Sequence, residues 1–248
     1  MRNGLIAIAI LVCSMPSYAG DVTYQRPAKA VASFVDAAPI PLTNLGPDRT
    51  TLLLITPITF PSIAEVAEAE LRLAGLRINP KNRAAARRPF AQRLELLDVK
   101  TKGAAPRPIR GIPDGARIGD VRWSPDGAYV AFTVTEADAI RLWLADVHNA
   151  TARPLATPPL SGVAGEPCDW LPDARSLACR TVPQGAKPPP AAPAVPTGPI
   201  VQENTGEKKP ATTNPDLLTS PTDERLFEHY MASQIALVAI DGKVTPVG

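Results

Sequence analysis

Few residues of this 248-residue chain have the types and spacing to do chemistry. Its two histidines, His148 and His229, stand without a serine and an acid spaced as a triad, so they read as surface or packing residues. The chain has no G-x-S-x-G elbow, no H-E-x-x-H, no glycine-rich phosphate loop and no paired metal-type cysteines. From residue types alone, then, no catalytic residue, metal ligand or cofactor is expected. Two features remain. LRINPKNRAAARRPF concentrates Arg77, Lys81, Arg83, Arg87 and Arg88, which reads either as a solvated basic loop or as a surface that binds anions through guanidinium groups. Cys168 and Cys179 flank a Pro172-Asp173 turn.

Those residues are carried by a repeating strand module. In VRWSPDGAYVAFT, Pro125 presets φ, Asp126 can bond its own backbone and Gly127 accepts positive φ, which predicts a hairpin. Trp123, Pro125 and Asp126 recur 47 residues later as Trp170, Pro172 and Asp173, and a weaker copy places Pro47 and Asp48 alike. A second strand-and-turn element recurs in phase around Asp98, Asp146 and Asp241. Short strands with one turn signature every roughly 40–50 residues mark β-propeller blades. The expected fold is therefore all-β: an incomplete propeller of about three blades over residues 41–248, with short helical insertions.

Two insertions interrupt the rhythm. In the first, Ser62 and Glu65 form a capping box before IAEVAEAELRLAG, and Gly75 reads as a stop, predicting a helix of about three turns. The second, residues 182–215, is too proline-rich to pack and should be extended or disordered. After it, Ser220, Pro221 and Asp223 read as the N-cap, first-turn proline and third-position acid of a short helix through Met231.

MRNGLIAIAILVCSMPSYAG has a basic residue, a short apolar run and a small-x-small cleavage site, so residues 1–19 read as a secretory signal followed by an extension to residue 40. The expected location is periplasmic or secreted, with no membrane association after signal removal. The net charge of +2 with mixed signs excludes an obvious nucleic-acid groove. In an oxidising compartment Cys168 and Cys179 could bond if the intervening loop has two or four residues, whereas a three-residue bulged loop would point them to opposite faces.

Several stretches resemble a known family: RGIPDGARIGDVRWSPDGAYVAFTV, LWLADVHNATARPL, ELRLAGLRINPKNRAAAR and PDLLTSPTDERLFEHYMASQIALVAIDGKVTPVG. They are similar to the N-terminal portion of glutamyl endopeptidase-like enzymes of the prolyl oligopeptidase family of serine peptidases. The resemblance implies a propeller that gates peptide substrates toward a C-terminal α/β-hydrolase domain carrying a Ser-Asp-His triad. No triad position is matched within this chain, so the segment is expected to be inactive alone, as a fragment or truncation of a longer enzyme. Arg77 and Arg87 lie in a matching segment and are the residues expected to bind an acidic substrate side chain. The alternative is a free-standing Tol-type periplasmic propeller that binds protein partners.

Overall fold

The computed structural model of the chain describes residues 26–191, 206 and 216–247; the signal segment and most of the proline-rich stretch lie outside them. Described residues 26–38 belong to a first unit, whose helix α1 (Lys29–Val35) buries no side chain. The second unit, Pro39–Gly248, carries every described strand. In chain order these are β1 (Leu42–Leu45), β2 (Thr51–Pro57), β3 (Leu71–Leu73), β4 (Leu76–Ile78), β5 (Ala91–Asp98), β6 (Arg107–Pro108) and β7 (Ile118–Trp123). There follow β8 (Tyr129–Thr135), β9 (Ile140–Asp146), β10 (Thr151–Pro154), β11 (Cys168–Trp170), β12 (Ser176–Thr181), β13 (Gln234–Ala239) and β14 (Val244–Val247). Helix α2 (Ile63–Val66) precedes β3, and α3 (Pro221–Met231) precedes β13.

Three antiparallel meanders of four strands result: β1-β2-β5-β6, β7-β8-β9-β10 and β11-β12-β13-β14. The pair Ala91 with Ile118 joins the first two, and Arg110, just past β6, bridges to Thr151 of β10. Each meander turns from its first to its second strand through the same four-residue loop. The loops are closed by Gly46 N to Thr51 O at 2.8 Å, Ser124 N to Tyr129 O at 2.8 Å and Leu171 N to Ser176 O at 2.8 Å. In every one the second loop residue is an aspartate accepting downstream amides: Asp48 from Thr50 and Thr51, Asp126 from Ala128, Asp173 from Arg175 and Ser176. The third loop residue is left-handed in all three, with φ of 56° at Arg49, 73° at Gly127 and 55° at Ala174. Trp123 and Trp170 therefore hold equivalent places at the ends of successive first strands, opposite Val130 and Leu177. Trp170 Nε1 donates to the Arg122 carbonyl at 3.3 Å, tying one first strand to the next.

The meanders stack face to face. Val130, Phe132 and Val134 of β8, with Trp143 and Ala145 of β9, meet Leu53, Leu94 and Leu96 of the first meander. The intervening residues Ala131, Leu142 and Leu144 meet Leu177, Cys179 and Val238 of the third. Because strand side chains alternate faces, a blade sandwiched between neighbours must be apolar on both, which is why YVAFTVT is almost continuously buried. Radially stacked four-stranded meanders with an unclosed circle are an incomplete β-propeller. Cys168 and Cys179 are opposed in register across β11 and β12 and form a disulfide.

The first insertion departs from the expected three-turn helix. Ser62 does cap, accepting from Glu65 N at 3.1 Å, but α2 ends at Val66. Leu71 to Ile78 instead form the β3-β4 hairpin, turning through Ala74 and Gly75 with φ of 50° and 79°. Leu-Arg-Leu and Leu-Arg-Ile alternate with period two, so only a strand sends all their apolar groups to one side. That buries Leu73 and Ile78 while the arginines face outward. Helix α3 starts as Ser220 and Pro221 suggest, with Ser220 Oγ accepting from Asp223 N at 3.1 Å.

Candidate functional site

In an antiparallel meander the first-to-second and third-to-fourth turns share one end, and the second-to-third connection and the link to the next meander share the other. Both insertions, residues 58–90 and 182–233, are second-to-third connections, so they leave the same end of the stack. In the second meander that connection is only residues 136–139. Fold topology therefore gathers all elaboration on one rim. There the β3-β4 hairpin and α3 bury Leu73, Ile78 and Tyr230 against Val163 from the β10-β11 link.

Arg83 is the polar centre of this cap. It is buried and left-handed, with φ of 55°. Its carbonyl accepts from Gly162 N at 2.9 Å, its Nη2 lies 2.8 Å from His229 Nε2, and its Nη1 donates to Ala232 O at 3.4 Å. The guanidinium also sits 5.3 Å from the Tyr230 ring centroid. Tyr230 in turn donates its hydroxyl to Pro80 O at 3.5 Å.

Beside the cap, a cavity of about 400 Å³ opens between the first insertion and the end of β8. Phe90 and Thr135 line it together with Arg87, Arg88, Arg117 and Glu68. Arg88 forms a bidentate pair with Asp120 at 2.5 and 3.1 Å, and Arg117 binds Glu68 at 2.9 Å. Both guanidiniums lie within 6 Å of the Phe90 ring centroid, at 5.8 and 5.4 Å. Asp120, left-handed at φ 48°, is set inward by the irregular register between Gly119 and Arg122 and also accepts from Thr133 Oγ1 at 2.8 Å.

The five cations of the basic run thus do not form one surface. Arg83 points into the cap and Arg88 into the cavity wall, while Lys81 is exposed. Arg77 and Arg87, together with Arg72, converge on Glu70 at 3.4, 2.8 and 3.0 Å. Glu70 is 11% exposed, whereas all three arginines reach solvent. Desolvation raises the Glu70 carboxyl, but the Arg72 hydrogen bond and the charges of Arg87 and Arg77 outweigh it and hold it below the usual carboxylate range. Three guanidiniums on one carboxylate leave an excess of positive charge at the cavity rim.

The two histidines lie apart: His148 is in the β9-β10 turn, at the end opposite the cap that holds His229. No pattern in the sequence marks Asp120, whose partner Arg88 is 32 residues away, and Glu70 is not singled out although Arg72 lies only two residues from it. For Arg83 and His229 the separation is 146 residues.

No family model matches the chain. It is 34% identical over 238 residues to the probable chloroplastic glutamyl endopeptidase of Oryza sativa subsp. japonica, covering 91% of this chain and 25% of that protein. It is 31% identical over 256 residues to the Arabidopsis thaliana protein of the same name, covering 99% and 27%. The chain spans about a quarter of the length of these curated relatives. Among solved structures it is similar to the acylaminoacyl peptidase of Pyrococcus horikoshii, at 10% identity and a TM-score of 0.41, covering 87% of this chain and 25% of that one. It is also similar to a TolB from Agrobacterium tumefaciens, at 14% identity and a TM-score of 0.30, covering 85% and 62%.

Proposed function

We propose that this chain is the N-terminal propeller segment of a serine peptidase of the glutamyl endopeptidase type, within the prolyl oligopeptidase family. The observation that carries the reading is identity of 34% along nearly the whole chain to a relative of that name. Acyl transfer would be performed by a hydrolase domain supplying serine, histidine and an oxyanion hole. The part of this segment is access: stacked sheets and their cap exclude folded protein and admit short or extended peptides. The gathering of both insertions on one rim supports that division of labour, since an irregular rim on a rigid scaffold is where selectivity can be built.

Arg77 and Arg87 remain the residues we assign to acidic side chains, now with a condition attached. A substrate carboxylate must share or displace Glu70, which already occupies their N–H groups. The disulfide supports an exported, oxidising location.

The test uses the longest native polypeptide that contains this segment, with quenched peptides carrying Glu, Asp, Gln or Ala before the scissile bond. Cleavage after Glu, blocked by a serine-directed fluorophosphonate and absent on a stably folded, disulfide-bonded protein such as native ribonuclease A, is expected. Cleavage insensitive to that reagent, or equal on folded protein, would overturn the reading. For the arginine assignment, Arg87→Ala should raise KM for the Glu peptide at least tenfold and leave the Ala peptide unaffected. An equal loss on both peptides would remove Arg87 from specificity.

A further inference from the structure

We propose that Arg83 and His229 form an acid-released clasp that holds the two insertions together over the link between the second and third meanders. The geometry fixes the protonation state. A guanidinium has no acceptor and stays charged, so across the 2.8 Å contact His229 Nε2 must accept from Arg83 Nη2. His229 is therefore neutral, with its proton on Nδ1. Protonating Nε2 removes the acceptor and sets a second cation against the first.

The carboxylates nearest His229 in sequence on its own helix, Glu224 and Glu228, form no ion pair with it. Among the described residues no ion pair includes Arg83 or His229. From the first insertion His229 faces Arg83; on its own helix it meets the Tyr230 ring edge-on, with centroids 4.8 Å apart. Arg225, one turn earlier on α3, binds Thr222 Oγ1 and adds positive charge. The arginines of the β3-β4 hairpin, Arg72 and Arg77, are turned to Glu70. Burial, and then the charge of Arg83, push the imidazole below its ordinary value. A folded-state value below the unfolded one means that the clasp contributes fully above about pH 6.5 and is lost as pH falls through the lower folded value.

The rest of the contact is small enough for this to matter. Besides the apolar group around Tyr230 and the Arg83 guanidinium over its ring, the insertions are joined by Arg83 Nη1 to Ala232 O at 3.4 Å, the Tyr230 hydroxyl on Pro80 O and Gly75 N to Asp216 O at 3.1 Å. Arg83 itself holds a left-handed backbone that a non-glycine residue adopts only at a cost. Releasing its side chain favours relaxation of the whole turn. Mild acid would then free α3 from the hairpin while the stacked sheets, which have no part in the clasp, stay closed. The clasp concerns contacts within this chain, and it stands or falls apart from any peptidase activity.

Because the chain has only two histidines, nitrogen-15 histidine labelling of the full chain, with His148→Gln for assignment, reads the state directly. At pH 7.5 His229 should show an unprotonated Nε2 and a protonated Nδ1, with a titration midpoint below the ordinary histidine value of about 6.5. A protonated Nε2, or a midpoint at or above about 6.5, overturns the proposal. Hydrogen exchange at pH 7.5 and 5.5, corrected for intrinsic rates, gives the structural consequence. Residues 71–78 and 221–231 should lose protection at pH 5.5 by up to about tenfold, the limit set by an unfolded value near 6.5, with β8 and β9 unchanged. His229→Gln offers Arg83 an amide oxygen that does not titrate, and should keep protection at both pH values. The same acid loss in that variant, or loss spread equally through β8 and β9, refutes the clasp.

Discussion

Replacing Gly127 by alanine tests whether the three first-strand turns are one device. Gly127, Arg49 and Ala174 share the third loop position, with φ of 73°, 56° and 55°. A Cβ at Gly127 would find Pro47 Cδ at 3.5 Å, an ordinary contact, so any cost comes from the backbone and not from a clash. An L-residue in this region costs about 1–2 kcal/mol, and alanine recovers roughly 0.4–1 kcal/mol by restricting the unfolded chain. Gly127→Ala should therefore destabilise by about 1 kcal/mol, and Ala174→Gly should stabilise by about the same amount. With a urea slope of about 1–3 kcal/mol/M, the midpoints move by roughly 0.3–1 M in opposite directions at unchanged slope. Gly111→Ala is the contrast: its φ is also positive, at 90°, but its Cβ would fall 2.4 Å from the Ala152 carbonyl oxygen. It should cost clearly more than Gly127→Ala, because a backbone atom cannot swing aside. If Gly127→Ala is neutral, or Ala174→Gly destabilises, the shared loop conformation is wrong.

The disulfide closes a loop between residues 11 apart, and replacing both cysteines by alanine should cost about 3 kcal/mol in a urea midpoint. Unreduced, unfolded protein should take up no alkylating reagent at either position, as read by mass. Asp48 is held below the usual carboxylate range first by the Thr50 hydroxyl, Asp126 by the Ser124 hydroxyl and Asp98 by the Thr101 hydroxyl. Values depressed by folding contribute stability that is complete above the unfolded value near 3.9 and is lost as pH falls through the folded ones. A urea series from pH 6 to 2 should fall below about pH 4, less steeply in Asp48→Asn. Phe132→Ala, at the fully buried centre between the first two meanders, should cost about 3–5 kcal/mol, measured the same way.

What the sequence determined by itself is whatever a few adjacent residues decide. Pro-Asp followed by a residue tolerant of positive φ specifies its own turn, and Ser220-Pro221 with Asp223 specifies a helix start, because donor and acceptor lie within four residues of each other. Repetition of those turns, with the aspartates 78 and then 47 residues apart, made the stacked meanders legible, whereas the two-sided burial of β8, which takes in Thr133 and Thr135, was decided by the neighbours on its two faces. The first insertion shows the limit. Its capping box read correctly at Ser62, yet the helix stopped within a turn because Leu71, Leu73, Leu76 and Ile78 gain more by facing one apolar surface together, and that surface belongs to Tyr230 and Val163. Tertiary structure alone decided which arginines are surface and which are not. Arg83 and Arg87 differ by four positions and little else in sequence, but one meets a histidine 146 residues away and the other a nearby glutamate at a solvent rim. A guanidinium takes its role from the acceptor within 3 Å of it, and which acceptor arrives there is set by how the sheets stack.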